Sequence, residues 1–123
     1  MRTESAGGSR EKGIAGENAA AEYLRLGGYE ILGRNYSCRQ GEIDIIAQNG
    51  GYLIFVEVKS RKSYSCGAPA EAVTPSKQRK IRQAALHYIE SRGVGECDCR
   101  FDVLEVRFSG GTGVPVGHIL NAF

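Results

Sequence analysis

The segment Tyr52-Leu53-Ile54-Phe55-Val56-Glu57-Val58-Lys59-Ser60 restricts the possible folds of this chain more than any other. Side chains alternate across a strand, and here both sets are apolar: Leu53 and Phe55 on one side, Ile54, Val56 and Val58 on the other. A strand that is apolar on both faces belongs in the middle of a sheet covered on both sides. Two more strands are predicted before it, Tyr29 to Tyr36 and Glu42 to Gln48. The second of these joins the central strand through Asn49-Gly50, a strong hairpin signal.

Helical periodicity brackets these strands. From Arg10 to Leu26, Ile14, Ala20, Ala21 and Leu24 recur at helical spacing, and Gly27-Gly28 supplies a stop. Thr74 and Pro75 have the character of an N-cap and a first helical residue. Ile81, Ala85, Tyr88 and Ile89 then form a stripe for burial, and Gly93 ends this second helix. Arg61 to Val73 has no sustained period and reads as a loop. Arg100 to Phe108 reads as a strand, Ser109 to Gly113 as a turn, and Val114 to Leu120 as a short final strand. The order is α-β-β-β-α-β with a last β, which predicts an α/β fold with a mixed sheet flanked by helices and excludes a helical bundle or a β-sandwich. A chain of 123 residues has material for one core. The expected organisation is a flexible stretch over 1–9 and a single domain over 10–123.

Net charge is only +2, but it is unevenly placed. Between Lys59 and Arg82 stand seven basic residues (Lys59, Arg61, Lys62, Lys77, Arg79, Lys80, Arg82) and one acid, Glu71, so this window carries +6 and the rest −4. Such a distribution points to an anionic partner more than the total does. The four cysteines, Cys38, Cys66, Cys97 and Cys99, lack the Cys-x-x-Cys spacing of a zinc knuckle. No apolar run is long enough to span a bilayer, and Met1 to Ser9 has no signal-peptide core. The expectation is a reduced, cytoplasmic protein without a membrane partner.

The chemistry-bearing residues lie where the strands meet. Glu57 and Lys59 share a strand face, as do Glu42 and Asp44. With Asn49-Gly50 as a two-residue turn, Phe55 stands opposite Asp44 and Glu57 opposite Glu42, so Asp44, Glu57 and Lys59 share one face. Asp44 and Glu57 are then diagonal neighbours about 7 Å apart at Cβ, a span that a cation held by two carboxylates can bridge. Magnesium prefers oxygen ligands and keeps several waters, so one or two carboxylates open to a phosphate suit it. A nearby ammonium, Lys59, would orient a nucleophile or stabilise charge developing on phosphorus. The plain alternative is an exposed ion-pairing face. Against it, these charges are embedded among Ile, Val, Leu and Phe, where a carboxylate seldom lacks a partner or a metal.

Glu17 falls on the Ile14, Ala21 and Leu24 stripe and so faces the sheet. It is either a further ligand or outer-shell group of the same site, or a helix-edge acid paired with a surface lysine. At the start of the second helix, Lys77, Arg79 and Lys80 crowd a terminus whose dipole favours anions, a conflict that a bound phosphate resolves. Gln78 shares the stripe with Ile81 and Ala85 and is expected to point into the site. Asp102 is a strand acid without a companion and reads as hydrogen-bonded structure, while His87 and His118, without a Ser or Cys partner at a suggestive spacing, read as structural or exposed. Tyr64, in the basic loop, is placed either to stack on a base or to cover the edge of the core.

Gly41-Glu42-Ile43-Asp44-Ile45-Ile46-Ala47 followed by Val56-Glu57-Val58-Lys59-Ser60-Arg61 resembles the YraN-like bacterial family of predicted endonucleases. Gly16-Glu17, Lys77-Gln78-Arg79-Lys80-Ile81, Arg100-Phe101-Asp102-Val103 and Asn121-Ala122-Phe123 extend the resemblance over about residues 10 to 123. That family is similar to archaeal Holliday-junction resolvases of the PD-(D/E)xK nuclease superfamily, although Ile43 stands where the superfamily motif is named for proline. The resemblance implies a restriction-endonuclease-like fold and a divalent metal. By position it implies Asp44 and Glu57 as metal ligands assisted by the Val58 carbonyl, Lys59 as a catalytic residue and Glu17 as the helix acid. The expected function is a Mg2+- or Mn2+-dependent nuclease acting on DNA, with RNA as the other nucleic-acid option and branched or structured DNA as the substrate form. Arg61, Lys62, Lys77, Arg79 and Lys80 would hold phosphates, and resolvase-like relatives suggest a homodimer. A nucleic-acid-binding protein that retains the site without turnover is the competing expectation.

Overall fold

The computed structural model describes the backbone of residues 4–62, 73–109 and 112–123, and side chains over the same ranges apart from 4–12, 62 and 109. Its elements run α1 (Glu4–Leu26), β1 (Glu30–Cys38), β2 (Gly41–Asn49), β3 (Tyr52–Lys62), α2 (Pro75–Ser91), β4 (Asp98–Ser109) and β5 (Thr112–Ile119). The five strands form one open sheet in sequential order. β3 pairs parallel with β4, across the crossover that contains α2, and the other pairs are antiparallel. The strand that is apolar on both faces is therefore the middle one, and the fold is a mixed α/β sheet with two helices.

Each face of β3 contributes to its own core. On one, Ala20, Ala21 and Leu24 of α1 pack with Ile45, Ile54, Val56, Leu104 and Val106. On the other, Ile81, Ala84, Ala85 and Tyr88 of α2 pack with Ile46, Leu53, Phe55 and Val103. Phe55 is 1% exposed, and burying a side chain of this size contributes roughly 1.5–3 kcal/mol. Phe101 stacks on Phe55 and Phe123 stacks on Phe101, so the closing Asn-Ala-Phe segment caps this core.

α2 starts as its sequence requires. The Thr74 hydroxyl accepts from the Lys77 N–H at 3.2 Å, and Gly93, just past the helix, has φ +66. α1 differs from expectation in beginning at Glu4 rather than near Arg10. Gly7 and Gly8, each unfavourable by about 1 kcal/mol relative to Ala in a helix, do not stop it. Ile14, expected in the stripe, is 52% exposed, while Ala20, Ala21 and Leu24 are buried. At the sheet's far edge, the pairing of Ser109 with Thr112 shortens the expected 109–113 turn to residues 110 and 111, which lie outside the described residues. β3 runs on through Lys62, two residues into the predicted 61–73 loop; residues 63–72, with Tyr64 and Cys66, also lie outside them. Cys38, Cys97 and Cys99 are free thiols. Among the described residues no helix is long and apolar enough to cross a membrane.

Candidate functional site

The β2–β3 hairpin sets the site's geometry, and its turn sits one residue later than the sequence suggested. Gly50 and Gly51, both at positive φ (+59 and +83), form the two-residue connection, so Asn49 pairs with Tyr52. A turn with positive φ at both central positions matches strand twist, and Gly-Gly meets that demand better than Asn-Gly in this register. Asn49 instead ends β2 and donates through Nδ2 to the Gly28 carbonyl at 3.1 Å. The register is displaced by two residues from expectation, which keeps the paired residues Ile45 to Asn49 on their expected faces. Phe55 faces Ile46, not Asp44. One step beyond the last pair, Ile45 with Val56, Asp44 stands across from Glu57 rather than diagonal to it.

There the ladder opens. Asp44 Oδ2 accepts the Val58 N–H at 2.8 Å, so a side chain takes the place of a backbone acceptor. Strand alternation also breaks at Asp44: Ile45 belongs to the core under α1, whereas Ile43 belongs to the one under α2. Opposite the break on β1, Asn35 adopts φ +54, a left-handed conformation that Asn tolerates better than most residues. Asp44 consequently lines clefts on both sides of the sheet. One, under α1, also contains Glu17, Asn35, Val58 and Ser60. The other, under α2, contains Glu42, Glu57, Lys77 and Lys80.

Two glycines bring the helices in. A Cβ on Gly16 would lie 2.3 Å from the Ser60 Oγ, so α1 crosses β3 closely there and the next residue, Glu17, reaches the cleft. A Cβ on Gly41 would lie 3.0 Å from the Lys80 carbonyl oxygen, so α2 meets the start of β2 just as closely, above Glu42 and Asp44. Both glycines belong to motifs whose meaning is thus close approach of backbone.

Electrostatics mark Asp44 as the unusual group. Burial, then the Glu57 charge, raise its pKa from 3.8 to about 7, with a smaller push from Glu17 and with the Val58 N–H and Lys77 opposing. Glu57 is 6% exposed, and its Oε2 lies 2.8 Å from Lys77 Nζ. Despite the desolvation of Lys77, its hydrogen bond to Glu57 and the charges of Glu57, Asp44 and Glu42 raise its pKa. Glu17 is 9% exposed and ion-pairs with Arg34 at 3.2 Å. It faces the sheet beside Asp44, and the cation it holds is Arg34 of β1 rather than the surface lysine of the alternative reading.

The other candidate residues divide. Lys59 is half-buried on the Glu57 face and beside Glu105 of β4, and among the described residues it makes no hydrogen bond or ion pair. Lys80 lines the α2-side cleft, Arg79 is exposed, and the Lys62 side chain lies outside the described residues. Lys77 resolves its conflict with the helix dipole within the chain, through Glu57. Arg61 lies 3.8 Å from the Glu105 carboxylate. Gln78 turns away from the site: its Nε2 donates at 3.0 Å to the carbonyl of Val73, just before the Thr74 cap, which an amide one helical turn past the cap can reach. Val58 is seen to meet Asp44 through its N–H, not its carbonyl. Asp102 is fully buried, taking both Arg100 Nε and NH2 at 2.9 Å, His118 Nε2 at 2.8 Å and the Asn121 N–H at 2.9 Å. These contacts hold its pKa down against its burial, and the Arg100-Phe101-Asp102 and Asn121-Ala122-Phe123 motifs serve this joint. His87 is hydrogen-bonded to the Tyr36 hydroxyl.

Sequence reasoning missed Asn35, Glu105 and Arg107. An Asn inside a strand, as Asn35 is in β1, signals a possible left-handed residue. Glu105-Val106-Arg107 repeats, on the neighbouring parallel strand, the pattern of Glu57-Val58-Lys59.

The chain is thus defined as an α/β protein with a paired-carboxylate cleft at an opened β2–β3 edge, flanked by basic side chains. Residues 16–106 match the model of the family described as "Uncharacterised protein family UPF0102", and the chain belongs to that family. It is 53% identical over 98 residues to a UPF0102 protein of Symbiobacterium thermophilum, covering 80% of this chain and 83% of the relative. It is 44% identical over 111 residues to one from Geobacter sulfurreducens, covering 90% and 87%. A UPF0102 protein of Chlorobium chlorochromatii is 49% identical over 121 residues, covering 92% and 91%.

Proposed function

We propose that this protein is a divalent-metal-dependent nuclease of restriction-endonuclease-like architecture that hydrolyses phosphodiester bonds in DNA, with branched or structured DNA as its preferred form. The observation that carries this reading is Asp44, an acid held against Glu57, desolvated to a pKa of about 7 and open to clefts on both sheet faces. A carboxylate so placed gains most from a cation beside it. Among the described residues no cluster of three or more His, Cys, Asp or Glu is set to hold a metal. The donor set is the pair Asp44 and Glu57, which suits magnesium or manganese, ions content with one or two carboxylates and several waters.

Asp44 and Glu57 would hold the ion, which when bound supplies Lewis acidity and a hydroxide at neutral pH. The Val58 N–H fixes the Asp44 carboxylate, leaving its other oxygen for a ligand. Lys59, without an ion pair among the described residues and on the Glu57 face, orients the attacking oxygen or stabilises charge on phosphorus. Glu17 adds negative field from the α1 side. Lys77, Arg79, Lys80 and the arginine and lysine at the end of β3 supply phosphate contacts. The test is incubation of purified protein with labelled duplex, single-stranded and four-way-junction DNA plus Mg2+ or Mn2+. Metal-dependent cleavage lost in Lys59→Ala is expected; no cleavage, or cleavage that survives this change, refutes the catalytic assignment.

One observation favours a second reading, a nucleic-acid-binding protein without turnover: the Lys77 ammonium already neutralises Glu57 at 2.8 Å. Metal-independent, salt-sensitive DNA binding with no calorimetric metal response would establish that reading in place of the first.

A further inference from the structure

The ion pair between Lys77 and Glu57 joins two side chains of very different freedom. Glu57 is 6% exposed and fixed in the middle strand, whereas the Lys77 side chain is 47% exposed and enters from the first turn of α2, with Nζ 2.8 Å from Oε2. Rotation about its flexible four-carbon stem carries the ammonium from the carboxylate into water without moving the helix. The cleft they share has a volume of about 450 Å³ and also contains Glu42, Asp44 and Lys80. A water molecule takes roughly 30 Å³, so an ion with its waters and a phosphate group fit there together. Room is ample, and the competitor of a divalent ion at Glu57 is the ammonium itself.

Lys80 stands three residues beyond Lys77, hence on the same stretch of the helix face. It lines the same cleft and makes no ion pair among the described residues. A phosphate drawn to Lys80 therefore comes within reach of Lys77. It would be taken by the two ammonium groups and not by the Lys77 N–H, which is already donated to the Thr74 hydroxyl. We infer that, within the nuclease reading on which this rests, Lys77 is an exchangeable counter-ion: it fills the cation position at Glu57 in the free protein and transfers to a DNA backbone phosphate on binding, which opens Glu57 to the divalent ion. DNA and ion then each favour the state in which Lys77 has left Glu57, so each raises the affinity for the other by the same factor. A half-exposed ion pair is weak, which sets this factor at about fivefold, the low end of such couplings. The contact that neutralises Glu57 is in this way the resting state of the site, and the ion is taken up chiefly when a strand is present.

Mn2+ binding to the full chain is measured by electron paramagnetic resonance, with and without a saturating DNA duplex. Four proteins are compared, all carrying Lys59→Ala so that the DNA stays uncut: the parent, Lys77→Met, Lys77→Arg and Lys80→Met. Removing any nearby positive charge strengthens cation binding through the field alone, and Lys80→Met measures that contribution. Without DNA, Lys77→Met should bind Mn2+ about fivefold more tightly than Lys80→Met, and Lys77→Arg no more tightly than the parent. Adding DNA should raise the affinity of the parent by about fivefold more than it raises that of Lys77→Met. Equal Mn2+ affinities for Lys77→Met and Lys80→Met, or a gain on adding DNA as large in Lys77→Met as in the parent, overturns the exchange and leaves the metal site standing. Mn2+ bound by none of the four, with or without DNA, sinks the nuclease reading and the exchange with it.

Discussion

Asp44→Asn should stabilise the metal-free protein, increasingly so as pH rises. The Asp44 carboxyl has a pKa of about 7 in the folded chain against an ordinary 3.8, chiefly from burial and the Glu57 charge. A carboxyl with a raised folded pKa binds its proton more tightly when folded. Its contribution is therefore most favourable below pH 4 and is lost as pH climbs through about 7. At about 1.4 kcal/mol per pH unit, the full loss is on the order of 4 kcal/mol at pH 8, and less than half of it has been lost by pH 5. Asn carries no charge and can still accept the Val58 N–H, so it escapes this penalty. Urea unfolding in EDTA at pH 5 and pH 8 should show the Asn variant more stable than wild type by several kcal/mol at pH 8 and by much less at pH 5, with unchanged m-values. Saturating Mg2+ should then stabilise wild type and leave the variant unmoved. A variant less stable than wild type at pH 8, or a difference that does not depend on pH, would refute the argument that Asp44 is a desolvated acid awaiting a cation.

Other substitutions probe the supports. Lys77→Met removes the ammonium at Glu57 and, because Lys77 is half-exposed, should lower stability in EDTA by only about 1 kcal/mol, as read by chemical unfolding. Gly41→Ala places a methyl against the Lys80 backbone and should cost roughly 1–3 kcal/mol by overpacking, seen as a lower unfolding midpoint together with weaker DNA binding as α2 is pushed off β2. Asp102→Ala leaves Arg100 and His118 without their buried acid and should cost roughly 3–5 kcal/mol without any direct effect on metal binding. Because the Asp102 pKa is lowered, its stabilisation is present above the ordinary carboxylate range and lost as pH falls, so the wild-type advantage should shrink in acid.

What could be read from the sequence followed period and parity. The two-sided apolar pattern of β3 placed it at the sheet centre, and the Thr74-Pro75 start and Gly93 stop located α2, because these signals act within a few residues. The shared face of Glu57 and Lys59 was also legible, since alternation needs no knowledge of the turn. The nearness of Asp44 to Glu57 was legible, but not its form: the turn lay one residue later than expected, and alternation breaks at Asp44, which opens to both faces. What was hidden depended on tertiary contact. The acid beside Lys77 comes from a strand and not from the helix, so the dipole argument could not find Glu57. Gln78 satisfies a local carbonyl, a choice that periodicity does not decide. Ile14 lies near the cleft, where nothing packs over it fully. Glu105 and Arg107 needed the β3–β4 register before their repeat of the β3 pattern had a spatial meaning.

The central claim is that Asp44 and Glu57 together hold a divalent cation. Anomalous diffraction from crystals soaked in manganese tests it most directly. The account predicts a peak bonded to carboxylate oxygens of both residues, with the Lys77 ammonium moved away from Glu57, and no such peak in Asp44→Asn crystals. Full manganese loading elsewhere, with Lys77 still seated on Glu57 and no density between the two carboxylates, would contradict it.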